Sequence, residues 1–284
     1  MRRLLIRPGA IGDCILSLPA LEFLSAQAAA AVRCARSSRR ADYTEVWVPR
    51  PIVPLIRFAD RVRAIADTGL DWIGVRDTPK PLLDELRSFD EIVSWYGSNR
   101  EEFREAVRTE NLPFRFLRAL PPENLKEHAA DFFLREAGGR GMAIPRIPCA
   151  CEPREFAVVH PFSGAARKNW PLKRFRELAE RLNMPVRWCA GPEEEMADAV
   201  RFDDLYELAR WLAGARLYMG NDSGITHLAA AVGTPVIAIF GPTDPAIWRP
   251  RGADVRIVCG QLDQITVEDV LAQSPAAPQS PAAS

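Results

Sequence analysis

One stretch constrains this chain more than any other: Met219-Gly220-Asn221-Asp222-Ser223-Gly224-Ile225-Thr226-His227-Leu228-Ala229-Ala230-Ala231-Val232-Gly233-Thr234-Pro235-Val236-Ile237-Ala238-Ile239-Phe240-Gly241-Pro242-Thr243. It reads as a strand, a polar turn, a short helix, a glycine stop, a buried strand and a second polar turn. A strand that yields to a helix and then to another fully apolar strand is a βα unit of a parallel sheet. The polar side chains gather where the first strand becomes the helix. There the first amides lack partners and the dipole end is positive, so the turn suits an anion such as a phosphorylated ligand.

The same alternation runs through the rest of the chain. A strand over residues 3–7, a glycine-containing turn over 8–13 and an apolar helix over 15–30 open it. Strand-like runs follow at 45–48, 62–66 and 91–95, with a helix over 128–137 that stops at Gly138-Gly139. Residues 143–154 carry Pro145, Pro148 and Pro153 and read as a linker. The pattern then restarts: strand 156–160, helix 171–182 with Pro171 at its first position, strand 186–190, helix 205–213, strands 216–220 and 236–240, and a last helix over 265–273. The expected organisation is α/β, with a Rossmann-like domain over 1–142, a linker over 143–154 and a second such domain over 155–273. Residues 274–284 are almost entirely Pro, Ala and Ser and are expected to be disordered.

Composition excludes several classes. Hydrophobic residues make up 48% and charged residues 26%, ordinary for a globular protein. Net charge is +3 over residues 1–151 and −3 over 152–284, too even to argue for nucleic acid. The 6 cysteines include no CxxC pair, and with only 3 histidines a Cys/His zinc site is not expected. Reduced thiols in a cytosolic protein are the simpler reading. The basic N-terminus is not backed by an apolar h-region, and no apolar run approaches about 18 residues, so neither a secretory signal nor a spanning helix is expected.

Four constellations carry chemical groups. Gly9-Ala10-Ile11-Gly12-Asp13 follows the first strand without matching GxGxxG, so it is no dinucleotide fingerprint. It places Asp13 at the ligand-binding edge of the sheet, and helix capping is the plainer role for that residue. His160-Pro161-Phe162-Ser163-Gly164-Ala165-Ala166-Arg167-Lys168-Asn169-Trp170-Pro171 offers backbone amides, the Ser163 hydroxyl and the Lys168 ammonium to phosphate oxygens. A solvated lysine beside a core tryptophan explains the same loop more plainly. Gly191-Pro192-Glu193-Glu194-Glu195 puts acids beyond a strand end, where a carboxylate accepts ribose hydroxyls or simply suits a helix N-terminus. In the opening stretch, Asp222, Ser223, Gly224, Thr226 and His227 exceed what a cap requires, although Asp222 suits an N-cap and His227 a core position. A basic cluster, Arg33, Arg36, Arg39 and Arg40, reads as a solvated loop or as an anionic-acceptor or membrane-surface contact. No Asp-x-Asp triplet is present to hold a metal-bound sugar nucleotide.

These segments, in this order, resemble glycosyltransferase family 9, the ADP-heptose:lipopolysaccharide heptosyltransferases. The resemblance rests on Ile11-Gly12-Asp13 with Leu18-Pro19-Ala20, on His160-Pro161-x-Ser163-Gly164 with Lys168-x-Trp170-Pro171, on Asn221-Asp222-Ser223-Gly224-x-x-His227-Leu228-Ala229, and on Phe240-Gly241-Pro242-Thr243. It is thin between about residues 35 and 150. It implies a GT-B-like fold, two Rossmann-like domains facing a cleft, and inverting transfer without metal or cofactor from a nucleotide-sugar, with ADP-heptose the expected donor. The expected acceptor is a lipopolysaccharide-type or other cell-envelope glycan, and the expected place is the cytoplasm, with peripheral contact at the inner membrane. By the resemblance Asp13 is the general base, and Lys168, Ser163 and the helix from Gly224 stabilise the departing ADP. Glu194 matches a ribose-binding glutamate and Asp222 contacts the donor. Gly164, Ser223, His227 and Thr243 join the donor site, while Gly12, Arg36 and Arg39 are assigned to the acceptor. Two departures carry expectations of their own: Phe162 replaces a usual glycine, giving a less open phosphate turn, and residues 195–202 lack roughly a strand. Other outcomes compatible with the same segments are a non-catalytic nucleotide-sugar-binding module and another GT-B enzyme such as a sugar-nucleotide epimerase.

Overall fold

Short apolar runs, each followed by a polar turn and an amphipathic segment, build two parallel sheets in the computed structural model, which describes residues 1–34, 43–124 and 126–274. The chain separates into Met1–Pro145 with Asp204–Tyr206, and Arg146–Asp203 with Glu207–Ser284. The division falls inside the proline-rich segment, where restricted φ and absent N–H donors disfavour continued sheet or helix.

The N-terminal unit runs β1 (Arg2–Ile6), α1 (Ile11–Leu16), α2 (Leu18–Cys34), β2 (Tyr43–Val48), β3 (Arg61–Ala64), α3 (Lys80–Arg87), β4 (Glu91–Ser94), α4 (Glu101–Thr109), β5 (Phe114–Phe116) and α5 (Ala129–Glu136). Its five-stranded sheet has the order β3-β2-β1-β4-β5, every pair parallel. Leu4, Ile6, Trp47 and Ile92 from the strands pack against Leu82, Leu86, Phe103 and Val107 from α3 and α4. The first helix starts earlier than the apolar pattern suggests and is broken. Ala10 is the extended N-cap, and α1 and α2 part at Ser17 because Pro19, second residue of α2, has no N–H to continue the ladder.

The C-terminal unit runs β6 (Arg154–His160), α6 (Leu172–Arg181), β7 (Val186–Trp188), α7 (Leu205–Ala213), β8 (Ala215–Asn221), α8 (Gly224–Ala231), β9 (Val236–Phe240), α9 (Pro245–Trp248), β10 (Val255–Cys259) and α10 (Val267–Leu271). The order is β10-β9-β8-β6-β7, again all parallel. Val159, Leu217, Met219, Ile237 and Ile239 meet Phe175 and Leu178 of α6 and Val267 and Val270 of α10. Trp170 is fully buried in this core, its ring edge-to-face with Phe175 at 4.9 Å and its Nε1–H donating to Ile265 O at 3.0 Å. Helix α8 is bounded at both ends by its own sequence. Ser223 accepts the Thr226 N–H, and Gly233, at φ +91°, lets Gly233 N and Thr234 N return to the carbonyls of Ala230 and Ala229.

Several expectations are corrected here. β10 extends the series beyond residues 236–240, and β5 was not expected; both are short edge strands with an arginine in them, so neither shows an uninterrupted apolar run. Pro171 is the N-cap of α6, one residue ahead of its first turn. No helix follows Glu193–Glu195 among the described residues, so those acids do not sit on a helix dipole. The shortened segment leaves one trace of a strand, the lone parallel bridge Cys189↔Val200 beyond the end of β7. Apart from Ser274, residues 274–284 lie outside the described residues, as do Arg36, Arg39 and Arg40. Among the described residues no helix is long and apolar enough to cross a membrane.

Candidate functional site

In each sheet the strand order reverses once. The chain leaves the central strand on one side, then returns to its other side. The reversal lies between β6 and β8 in the C-terminal unit and between β1 and β4 in the N-terminal unit. At such a point the connections from the two neighbouring strands turn to opposite faces of the sheet, so a crevice opens at their carboxyl ends. His160 ends β6, and Asn221, with Asp222 next, ends β8.

Asn221, fully buried, binds the loop 161–170 to β8. Its Nδ2 donates to Pro161 O at 2.8 Å and its Oδ1 accepts the Trp170 N–H at 2.9 Å. Within the loop the Ser163 hydroxyl lies 2.6 Å from Asn169 Oδ1 and 2.9 Å from Ala165 O, while Gly164 is exposed. Lys168 closes a 3₁₀ turn, and its Nζ donates to Asp222 Oδ2 at 2.7 Å. The lysine side chain is 26% exposed and the aspartate 7%. Two plainer readings therefore fall away: Lys168 is a held cation, not a solvated one, and Asp222 pairs with it and leaves the capping of α8 to Ser223.

Thr226 accounts for the remaining hydroxyl. Its Oγ1 donates to Asn221 O and lies 3.1 Å from both Tyr218 Oη and Ser223 Oγ. Gly224 and Ile225, partly exposed, carry the first amides of α8, and no acceptor among the described residues uses them. His227 is buried in α8, and Thr243 is half-buried after β9, where Asp244 caps α9. Asn221 is not among the polar residues the sequence singles out, although it opens the Asn221–Ala229 motif, and Thr226 is singled out there without a role. Their buried polarity becomes meaningful only with their partners in view.

The three glutamates after β7 are distinguished by the fold. Glu193 and Glu195 are exposed, and Glu195 lines a separate cavity of about 530 Å³ with Arg176, Glu180 and Trp188. Glu194 is partly buried, and its Oε2 receives His160 Nε2 at 3.0 Å and the Gly191 N–H at 2.6 Å. Burial pushes its carboxyl up, but the bonds from His160 and Gly191 outweigh this and hold it below the usual glutamate range.

In the N-terminal unit Asp13 is the third residue of α1, and Ala10 occupies the cap without a side-chain bond. The capping role is thereby excluded for Asp13, and no hydrogen bond among the described residues occupies its carboxylate. Gly9 makes room for it. At φ +123° a side chain there is strained, and an added Cβ would stand 3.3 Å from Asp13 Cβ. Gly12 is half-exposed beside it. Beneath lies Arg7, fully buried at the end of β1 and unnoticed in the sequence, where an arginine after a strand reads as surface. It donates to Ser17 Oγ at 2.6 Å, Ala119 O at 3.1 Å and Asp13 O at 3.2 Å, with its guanidinium 4.6 Å from the Phe133 ring centre. Burial draws Arg7 below the usual arginine range, opposed by the charges of Cys14 and Asp13. Burial likewise pushes the Cys14 thiol up to about 12. Among the described residues no group of three or more His, Cys, Asp or Glu side chains is placed to hold a metal ion.

A family model described as glycosyltransferase family 9 (heptosyltransferase) matches residues 125–272. Lipopolysaccharide heptosyltransferase 1 of Pseudomonas aeruginosa is 36% identical over 183 residues, 55% of this chain and 50% of that protein. The chain thus spans about half the length, or less, of the curated relatives it matches. Among solved structures, Escherichia coli ADP-heptose lps heptosyltransferase II superposes with a TM-score of 0.71 at 16% identity, covering 96% of this chain and 97% of that one. The E. coli heptosyltransferase WaaC with ADP gives 0.64 at 20% identity, covering 96% and 98%. At that identity the likeness establishes the fold, which is GT-B.

Proposed function

This chain belongs to glycosyltransferase family 9, and on that premise we propose that it is an inverting, metal-independent glycosyltransferase. It moves a heptose or related sugar from an ADP-linked donor to a lipopolysaccharide-type or other cell-envelope glycan. The observation that carries this reading is the Lys168–Asp222 pair, at the strand reversal of the C-terminal sheet and two residues ahead of the open amides of α8.

The acceptor hydroxyl attacks the anomeric carbon as the bond to the diphosphate oxygen breaks, and a single displacement inverts the configuration. Negative charge grows on the departing ADP. The Lys168 ammonium, the Ser163 hydroxyl and the amides of Gly224 and Ile225 meet that charge with donors already in place. Positive charge that a metal supplies elsewhere comes here from the lysine and the helix terminus. Asp13, free of capping, takes the acceptor proton. Gly12 borders the acceptor, Glu194 receives the ribose, and His227 and Thr243 complete the donor pocket. Work in the cytoplasm, with peripheral contact at the inner membrane, fits a lipid-linked acceptor.

The test is calorimetric titration with ADP, UDP and GDP, with and without magnesium, beside turnover of Asp13→Asn. Expected are magnesium-independent binding of ADP, and loss of transfer in Asp13→Asn with ADP affinity kept within about twofold. Near-wild-type turnover in Asp13→Asn removes the general-base assignment. Failure to bind any nucleotide removes the transferase reading.

A further inference from the structure

Glu194 differs from an ordinary surface carboxylate in how its two oxygens are used. Oε2 takes both internal donors, His160 Nε2 at 3.0 Å and the Gly191 N–H at 2.6 Å, whereas no hydrogen bond among the described residues reaches Oε1. The backbone is fixed as well, since Arg201 Nη2 donates to Glu194 O at 2.6 Å. Two donors on one oxygen lock the torsion of the carboxylate and leave the other oxygen with its lone pairs in a set direction.

His160 is suited to hold that arrangement. Its side chain is 3% exposed, at the end of the strand that borders the reversal, and its Nδ1 is buried with no partner among the described residues. Because a carboxylate oxygen only accepts, the ring nitrogen facing Glu194, Nε2, is the one that donates. Phe162 packs edge-on against the imidazole, with centres 6.1 Å apart and planes at 69°. Phe162 therefore borders the ring on one side.

We propose that His160 is a positioning residue that, with the Gly191 amide, turns Glu194 so that Oε1 receives the ribose diol of the donor nucleotide, and thereby sets the preference for a ribonucleotide. This rests on Glu194 being the ribose carboxylate. A carboxylate free to rotate would still attract a hydroxyl, but would have to be ordered on binding; one already fixed does not.

The experiment compares the Kd of ADP with that of 2′,3′-dideoxy-ADP by calorimetry. Wild type is expected to prefer ADP by about tenfold or more, the range of a hydrogen bond to a charged group. Glu194→Ala should erase the preference. His160→Leu should weaken ADP by about tenfold and leave dideoxy-ADP nearly unchanged, and His160→Gln, whose Nε2 reaches a similar distance, should restore most of the loss. His160→Asn, too short to reach, should behave as His160→Leu and replaces it if that variant does not fold. Equal weakening of both nucleotides in His160→Leu or His160→Asn indicates a structural role and overturns the proposal, as does an intact preference. If Glu194→Ala keeps the wild-type preference, or if wild type has none, the ribose assignment itself fails and the proposal with it. Loss of preference in Glu194→Ala alone separates the two.

Discussion

Replacing Lys168 by methionine keeps the length of the side chain and removes its charge. Two consequences follow from the geometry. The first is on binding: a charge-assisted hydrogen bond to a phosphate is worth about 1.5–3 kcal/mol, or about 10- to 150-fold in Kd. Because Lys168 is 26% exposed, screening favours the lower part of that range. The second is on stability: Asp222, only 7% exposed, loses its cation, at a cost of about 1–3 kcal/mol and a fall in Tm of about 3–8 °C. Calorimetry with ADP and with adenosine separates these effects, since adenosine carries no phosphate. Lys168→Met should weaken ADP at least about tenfold and adenosine hardly at all. Adding Asp222→Asn should recover most of the stability, because an amide tolerates the missing cation better than a carboxylate. Equal weakening of adenosine and ADP would show that the lysine shapes the pocket and does not contact phosphate. An unchanged ADP affinity would refute the placement of the diphosphate altogether.

Trp170→Ala removes a fully buried ring, its contact with Phe175 and its bond to Ile265 O, and should cost about 3–5 kcal/mol in denaturant unfolding. Glu194 is held below the ordinary glutamate range when folded, so its contribution to stability is complete above that range and is lost as pH falls through the folded value. The Tm difference between wild type and Glu194→Gln should accordingly shrink on acidification from about pH 7 to about pH 3, and a constant difference would contradict the His160–Glu194 geometry. Burial raises both the Cys14 and Cys189 thiols to about 12, whereas Cys151 and Cys259 are exposed. Mass spectrometry after brief alkylation near neutral pH should find Cys151 and Cys259 modified and Cys14 and Cys189 protected until the protein unfolds.

Much of this fold is legible locally. The run from Met219 to Thr243 contains a strand, the Ser223 cap, the Gly233 stop and a second strand, each set by residues within a few positions of one another. The repeated βα pattern on either side of residues 143–154 likewise marks two parallel sheets, because apolar period and turn chemistry are short-range properties. That Asp13, Ser163, Lys168 and Asp222 stand in or beside the turns that follow strands is legible for the same reason.

What was not legible depends on partners far apart in the chain. Lys168 and Asp222 are 54 residues apart, and His160 and Glu194 are 34 apart, so neither pairing leaves a local trace. By chemistry alone Glu193, Glu194 and Glu195 are alike; the resemblance points to Glu194, and the fold gives that residue its partners His160 and Gly191. Arg7 carries a surface residue's chemistry, yet it is interior because Ser17, Ala119 and Phe133 surround it. The edge strands β5 and β10 are decided by the neighbour they pair with and not by their own alternation. The sequence by itself determined the central strands, the helices that follow them and which polar residues gather at their ends. The tertiary structure alone decided which of those residues are buried and with whom, since burial and charge pairing are properties of neighbourhood in space.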